Sequence, residues 1–315
     1  MWAFTTNELQ PLFGVPLNRY LFLALQQQRA DPIHFGLNEL PTIPETGERV
    51  NFLRHHDELN LARLTRAQRE RLFAAFAPEP DMRIYRRAVR RRLAPMLGGD
   101  QTWLSLTFSV LFSLPSVPLV FNGEETGKAE NLALPERLSV RTPMQWTLYD
   151  NGGFSSAPPE CFVRPMTVDG DYGFAMVSVG AERSRLDSLL NWMAALMRAR
   201  RECGEIGDGT CSAIDTGDDA VIGLRHDVPG STIVVFNNLS HQRRTVTVDV
   251  TDEEIATPTD LFADGPTSRS TPPRAASASR DWATAGCDCA VSTEATSKHA
   301  LPGGRRTLGV PASLP

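Results

Sequence analysis

Residues 51–58 read Asn51-Phe-Leu-Arg-His-His-Asp-Glu58, and the fold turns on where that octapeptide sits. The apolar run Val50 to Leu53 predicts a short strand, with a dense cluster of ionisable groups at its end. In a parallel barrel, the face at the C-terminal ends of the strands is built from the strand-to-helix loops and carries the active site. The ionisable cluster at the end of this strand is therefore a candidate site. A charged loop leading into a helix is the competing reading. A shared metal ion is disfavoured for His55, His56, Asp57 and Glu58, because successive strand residues point to opposite faces and cannot converge on one ion.

Working outward from 51–58, the pattern alternates. On the N-terminal side, Pro11 to Pro16 is a short apolar run, and Asn18 to Gln28 predicts a helix with Tyr20, Leu21, Leu23 and Leu25 on its apolar faces. A Pro-rich loop, Leu40 to Gly47, then leads into the strand. On the C-terminal side, Thr65 can cap a helix over 65–76. Gly98-Gly99-Asp100 opens another helix to about Leu114, and Val117 to Phe121 is a buried strand ending at Asn122-Gly123. Strand, helix, strand, helix, strand predicts parallel α/β architecture. An amphipathic helix, Leu186 to Glu202, closes a first domain spanning 1–205. Residues 206–262 predict a small antiparallel β domain, with strands at 220–226, 232–237 and 245–250. Residues 263–315 are rich in Ser, Thr, Ala, Pro, Gly and Arg, and predict a disordered tail, because they cannot bury enough apolar surface to offset the entropy of ordering.

With 41% hydrophobic and 22% charged residues, the 315-residue chain has an ordinary globular composition. A formal net charge of −5 argues against nucleic acid and anionic membrane as partners. The five cysteines (161, 203, 211, 287 and 289) form no C-x2-C pair and suit a reducing cytoplasm. The N-terminus lacks the pattern of a secretory signal. Trp103 to Phe121 is nearly long enough to span a membrane, but Pro115, Pro118 and four serines interrupt it, so a buried helix followed by a buried strand is expected.

Three further clusters are candidates. Glu124-Glu125 follows a strand end at Gly123, which suits a sharp turn; the pair also fits a helix N-terminus, where negative charge is favourable. The loop segments Glu136 to Trp146 and Asp150 to Ser155 hold Arg, Gln, Trp and Asn beside glycines, a composition suited to sugar hydroxyls and pyranose faces. Arg86, Arg87, Arg90, Arg91 and Arg92 lie beside Tyr85, Val89 and Leu93 at helical spacing, which favours a solvated helix face over a nucleic-acid patch.

Together these segments resemble the α-amylase superfamily. Residues 51–58 resemble its F-x-x-N-H-D region after barrel strand seven. Residues 86–100, Phe121-Asn-Gly-Glu-Glu-Thr-Gly127, Arg141-Thr-Pro-Met-Gln-Trp146 and Asn151-Gly-Gly-Phe-Ser155 are similar to its maltose-converting, trehalose-forming branch, over about residues 8–262. The resemblance implies an α/β fold: a partial TIM (β/α)8 barrel of about the last three strands and helices, followed by a small antiparallel β-sandwich domain. It implies Asp57 as the catalytic carboxylate that stabilises the transition state, with His56 and Arg141 as substrate-binding residues. Where the family has Asn before His-Asp, this chain has His55.

The implied activity is retaining chemistry on maltose, trehalose or other α-glucosides, by interconversion or hydrolysis. Such chemistry needs a nucleophile and an acid/base carboxylate about 5 Å apart. The family's nucleophile motif, G-F-R-x-D, does not occur here. The resemblance places both residues, and the family calcium site, upstream of Met1. It thus implies a truncated product, inactive alone, with no cofactor or metal site of its own and with a separate N-terminal half as a partner. The alternative is a non-catalytic carbohydrate-binding or half-enzyme remnant.

Overall fold

A computed structural model describes residues 10–42, 47–250, 259–260, 290–294 and 304–310. In chain order the elements are β1 (Gln10–Phe13), α1 (Val15–Gln27), α2 (Asp31–Asn38), β2 (Gly47–Phe52), β3 (Leu59–Asn60), α3 (Arg66–Phe76), β4 (Arg83–Ile84), β5 (Ala88–Val89), α4 (Leu93–Met96), α5 (Gln101–Ser113) and β6 (Val117–Leu119). There follow α6 (Val179–Ser184), α7 (Leu189–Glu202), α8 (Glu205–Asp208), β7 (Thr210–Ile214), β8 (Val221–Val228), β9 (Ser231–Asn238), β10 (Arg244–Val250), β11 (Thr259–Asp260), β12 (Ala290–Glu294) and β13 (Gly304–Val310). The chain divides into two compact units: residues 1–27, 32–100 and 116–194, and residues 28–31, 101–115 and 195–315.

The first unit is built on a parallel sheet in the order β1-β2-β6, with Phe13 opposite Val50 and Phe52 opposite Leu119. The three expected strands are present and run parallel. Gly14 ends β1 where only hydrogen fits: its N–H donates to Val50 O at 2.7 Å, and a Cβ would lie 2.2 Å from Asn51 Oδ1. Helix α1 buries Leu17, Leu21, Phe22, Leu23 and Leu25, and its Asn18 Nδ2 donates to both Phe52 O and Leu53 O at 2.7 Å. That amide ties the helix to the end of the central strand. Helix α3 starts with the anticipated cap: Thr65 Oγ1 accepts from Gln68 N, and the Gln68 side chain accepts from Thr65 N at 3.0 Å.

The arginine run departs from the sequence reading. Residues 86–92 form no helix. Tyr85 and Arg86, at φ 53° and 58°, turn the chain between β4 and β5, which pair antiparallel. The guanidinium groups of Arg90, Arg91 and Arg92 then reach carbonyls and carboxylates from elsewhere in this unit, and Arg92 is fully buried. Helical spacing in the sequence could not reveal those partners, which lie 30 to 48 residues away.

In the second unit the sheet order is β11-β12-β9-β8-β7, antiparallel throughout, and β10 pairs with β13. Strands β8 and β9 form a hairpin with Val228 opposite Ser231 across Pro229-Gly230, where Gly230 has φ 87°. Helix α5 is buried from Leu104 to Ser113. Its serines have work inside the unit: Ser109 Oγ donates to Asn237 Oδ1 at 2.6 Å, and Asn237 Nδ2 donates to Ser113 Oγ at 3.1 Å. Among the described residues no helix is long and apolar enough to cross a membrane. Within 263–315, where composition predicts disorder, residues 290–294 and 304–310 are strands; the remainder lies outside the described residues.

Candidate active site

The site grows from the end of β2. Phe52, Leu53 and Arg54 are buried; the chain then surfaces, leaving His56 67% and Asp57 32% exposed at their side chains. The intervening turn is held from both sides. Asp57 N–H donates to His55 Nδ1 at 2.8 Å, and Arg54 Nη2 donates to Asp57 O at 3.1 Å while its Nε reaches Arg91 O at 2.7 Å. Because His55 Nδ1 accepts, the neutral ring carries its proton on Nε2. Burial, followed by the charge of Arg54, pushes His55 down to about 4, so it stays neutral near pH 7. A side chain accepting from the backbone two residues on is the bond of an Asx turn. His55 thus makes the local contact that an asparagine amide oxygen can make.

Arg141 closes the cluster. It caps the short 3-10 helix Glu136–Val140, donating from Nε to His56 O at 2.8 Å and from Nη2 to Asp57 Oδ1 at 2.5 Å. All three residues singled out from the sequence therefore meet. Arg137, one helical turn earlier, was not anticipated. Its Nη1 lies 3.5 Å from Asp57 Oδ1, and it grips Glu58 through Nε at 2.6 Å and Nη2 at 3.2 Å. His56 Nε2 stands 3.7 Å from Asp57 Oδ2. Burial alone would raise the Asp57 carboxyl, but the Arg141 hydrogen bond and the neighbouring Arg137, His56 and Arg141 charges outweigh it and hold it below the usual range. The result is a partly exposed carboxylate, ionised at neutral pH, flanked by donors. Such a group can accept sugar hydroxyls and oppose developing positive charge.

A second Arg–carboxylate cluster supports the first. Buried Arg92 donates to Val140 O at 3.2 and 3.0 Å, to Asn122 O at 2.9 Å and to Glu124 Oε1 at 3.2 Å, with its guanidinium 4.3 Å from the Phe121 ring centre. It thereby fixes the residue just before Arg141 and the loop after β6. Glu124, in a 3-10 turn opened by Gly123 at φ 89°, also accepts from Leu93 N at 3.1 Å. Lys128 is equally buried, its Nζ donating to Thr142 O at 3.2 Å and to Thr142 Oγ1; burial pushes it down to about 6.

Two of the loop residues whose type suggested sugar contact serve the loop itself. Gln145 is buried and donates to Tyr172 O and Val177 O at 3.0 and 2.5 Å, and Asn151 donates to Ser155 O and Ala157 O. Trp146 remains 49% exposed. Among the described residues, no group of three or more His, Cys, Asp or Glu could hold a metal ion.

No protein-family model matches the chain. It is 33% identical over 255 residues to a trehalose synthase of Thermus thermophilus, covering 81% of this chain and 26% of that protein. It is 34% identical over 258 residues to a trehalose synthase of Pimelobacter sp. (strain R48), covering 81% of this chain and 45% of that one. The chain thus spans less than half the length of these relatives. A crystal structure of an α-amylase from H. orenii matches with a TM-score of 0.56 at 16% identity, covering 96% of this chain and 49% of that chain, a likeness of fold. Four fifths of this chain are homologous to part of trehalose synthase, and by that homology the chain is trehalose-synthase-like.

Proposed function

We propose that this chain carries the transition-state-stabilising part of a retaining α-glucoside-active site, of the kind that interconverts maltose and trehalose or hydrolyses α-glucosides. The observation that carries this reading is the Arg141 bridge, which joins His56 O and Asp57 Oδ1 and keeps the carboxylate ionised at the end of a parallel strand. Asp57 stabilises the positively charged transition state, while His56 and Arg141 contact the sugar. The three parallel strands are the last part of a (β/α)8 barrel, and the antiparallel sheet belongs to an appended sandwich domain. The α-amylase fold likeness supports both.

A retaining enzyme also needs a nucleophile and an acid/base. Glu58 is bound bidentately by Arg137, and Glu124 is buried against Arg92, which leaves neither free for these roles. Those carboxylates come from a separate N-terminal half, and the present chain binds α-glucosides without turning them over. Soluble expression in a reducing cytoplasm fits its unpaired Cys161, Cys203 and Cys211. The test is incubation of the 315-residue chain with maltose. The expected result is saturable binding, weakened in Asp57→Ala, with no trehalose or glucose formed. Turnover that disappears in Asp57→Ala would refute the catalytic incompleteness, and maltose binding indifferent to Asp57→Ala would refute the site.

A further inference from the structure

Within the first unit lies a cavity of about 480 Å3 that none of His56, Asp57 or Arg141 lines. Its size falls in the range of about 300–1,000 Å3 usual for small-molecule sites. The walls come from the α4 region and the loops at 129–132 and 166–172, and they mix two kinds of surface. Pro95, Leu132, Met166 and the Tyr172 ring are apolar. The polar side holds the Arg91–Glu130 ion pair at 2.8 Å, Thr167 and Asp169.

The charges restrict the ligand. Arg91 is neutralised by Glu130, and exposed Asp169 adds a negative charge, so phosphate and other anions are disfavoured. Both Glu130 oxygens are already occupied, Oε1 by Arg91 Nε and Oε2 by Arg92 N at 2.8 Å, so this carboxylate offers little to a cation. The Thr167 hydroxyl is buried with no hydrogen-bond partner among the described residues, a costly arrangement that a ligand hydroxyl would relieve. A neutral polyhydroxylated molecule with an apolar face matches these walls: carboxylate and hydroxyl for its OH groups, and an aromatic ring with aliphatic neighbours for its C–H face.

We propose that this cavity is a second saccharide-binding site, separate from the Asp57 cluster, that takes glucosyl units of an α-glucoside. Tyr172 supplies the stacking face and a hydroxyl, and Asp169 and Thr167 bind the sugar's hydroxyls. The proposal does not depend on catalysis at Asp57. Calorimetric titration with maltose tests it, using the full chain, Asp57→Ala, Tyr172→Phe and Asp169→Ala, with circular dichroism to verify folding. Asp169 is exposed, so its replacement leaves folding intact. The expected result is two maltose sites in the unaltered chain: one lost in Asp57→Ala, and one that persists in Asp57→Ala and is weakened at least fivefold by Tyr172→Phe and by Asp169→Ala. Maltose binding abolished by Asp57→Ala, or unaffected by both cavity variants, overturns the second site. The first pattern leaves the Asp57 reading standing, while a single maltose site, indifferent to Asp57→Ala and lost in the cavity variants, removes support from that reading alone.

Discussion

Two Arg–carboxylate pairs in the first unit are built from the same chemistry and serve opposite ends. Arg141–Asp57 stands about a third exposed on both partners, whereas Arg92–Glu124 is at 1% and 3%. At the exposed pair, water competes for the charges, so the pairing contributes little stability but leaves oxygen surface for a ligand. At the buried pair both ions have lost their water, and every remaining donor and acceptor must be met by protein. Arg92 satisfies that demand with Val140 O and Asn122 O, and those bonds hold in place the loop from which Arg141 reaches Asp57. One pair is available to chemistry because the other is not.

The largest test of this contrast is Arg92→Ala. It leaves Glu124 buried without its cation and frees two carbonyls, so chemical denaturation should show a loss of about 3–5 kcal/mol. A loss below 1 kcal/mol would mean that the buried pair is not a scaffold.

Next in size is acid sensitivity. His226 is fully buried, its Nε2–H donates to Ser113 O at 2.9 Å, and burial pushes it down to about 4 from an ordinary 6.5. Between those values the unfolded chain binds the extra proton, so stability is complete above about pH 6.5 and declines as pH falls toward 4. The full decline is on the order of 3 kcal/mol. Unfolding free energies measured at pH 7 and pH 4.5 should differ, and His226→Gln should flatten that difference; an unchanged slope would remove His226 from the account.

Asp57→Asn should divide the two readouts. Stability should change by no more than about 1 kcal/mol, while the maltose site that depends on Asp57 loses at least tenfold in affinity in the same calorimeter. A variant that unfolds would place Asp57 with the buried class instead. The smallest effect belongs to Arg29, whose pairs with Asp31 and Asp219 are exposed; Arg29→Ala should leave the thermal midpoint unmoved.

The same contrast explains what could be read from the sequence. Periodicity and local chemistry announced α1, α3, α5, the three parallel strands, the Thr65 cap and strands β8 and β9, because each signal lies within a few residues of its effect. His56, Asp57 and Arg141 were legible only through resemblance, since nothing near residue 57 indicates that position 141 will reach it. The scaffold beneath them was not legible. Asn18 meets Phe52 across 34 residues, Arg92 meets Val140 across 48, and Arg137 meets Glu58 across 79. Such partners are set by topology, and residue type alone pointed elsewhere: five arginines suggested a wet helix, and Gln145 a sugar contact.

The turn at His55 has a bearing on descent. An imidazole nitrogen and an amide oxygen can both receive the Asp57 N–H, so a lineage can exchange asparagine for histidine there and pass through no ancestor with a broken loop. The exchange is also electrically silent: with its proton affinity pushed down to about 4, the ring brings no new charge at neutral pH beside the carboxylate. Variation at this position is therefore a poor clock of lost function, and a histidine there is compatible with an intact neighbourhood.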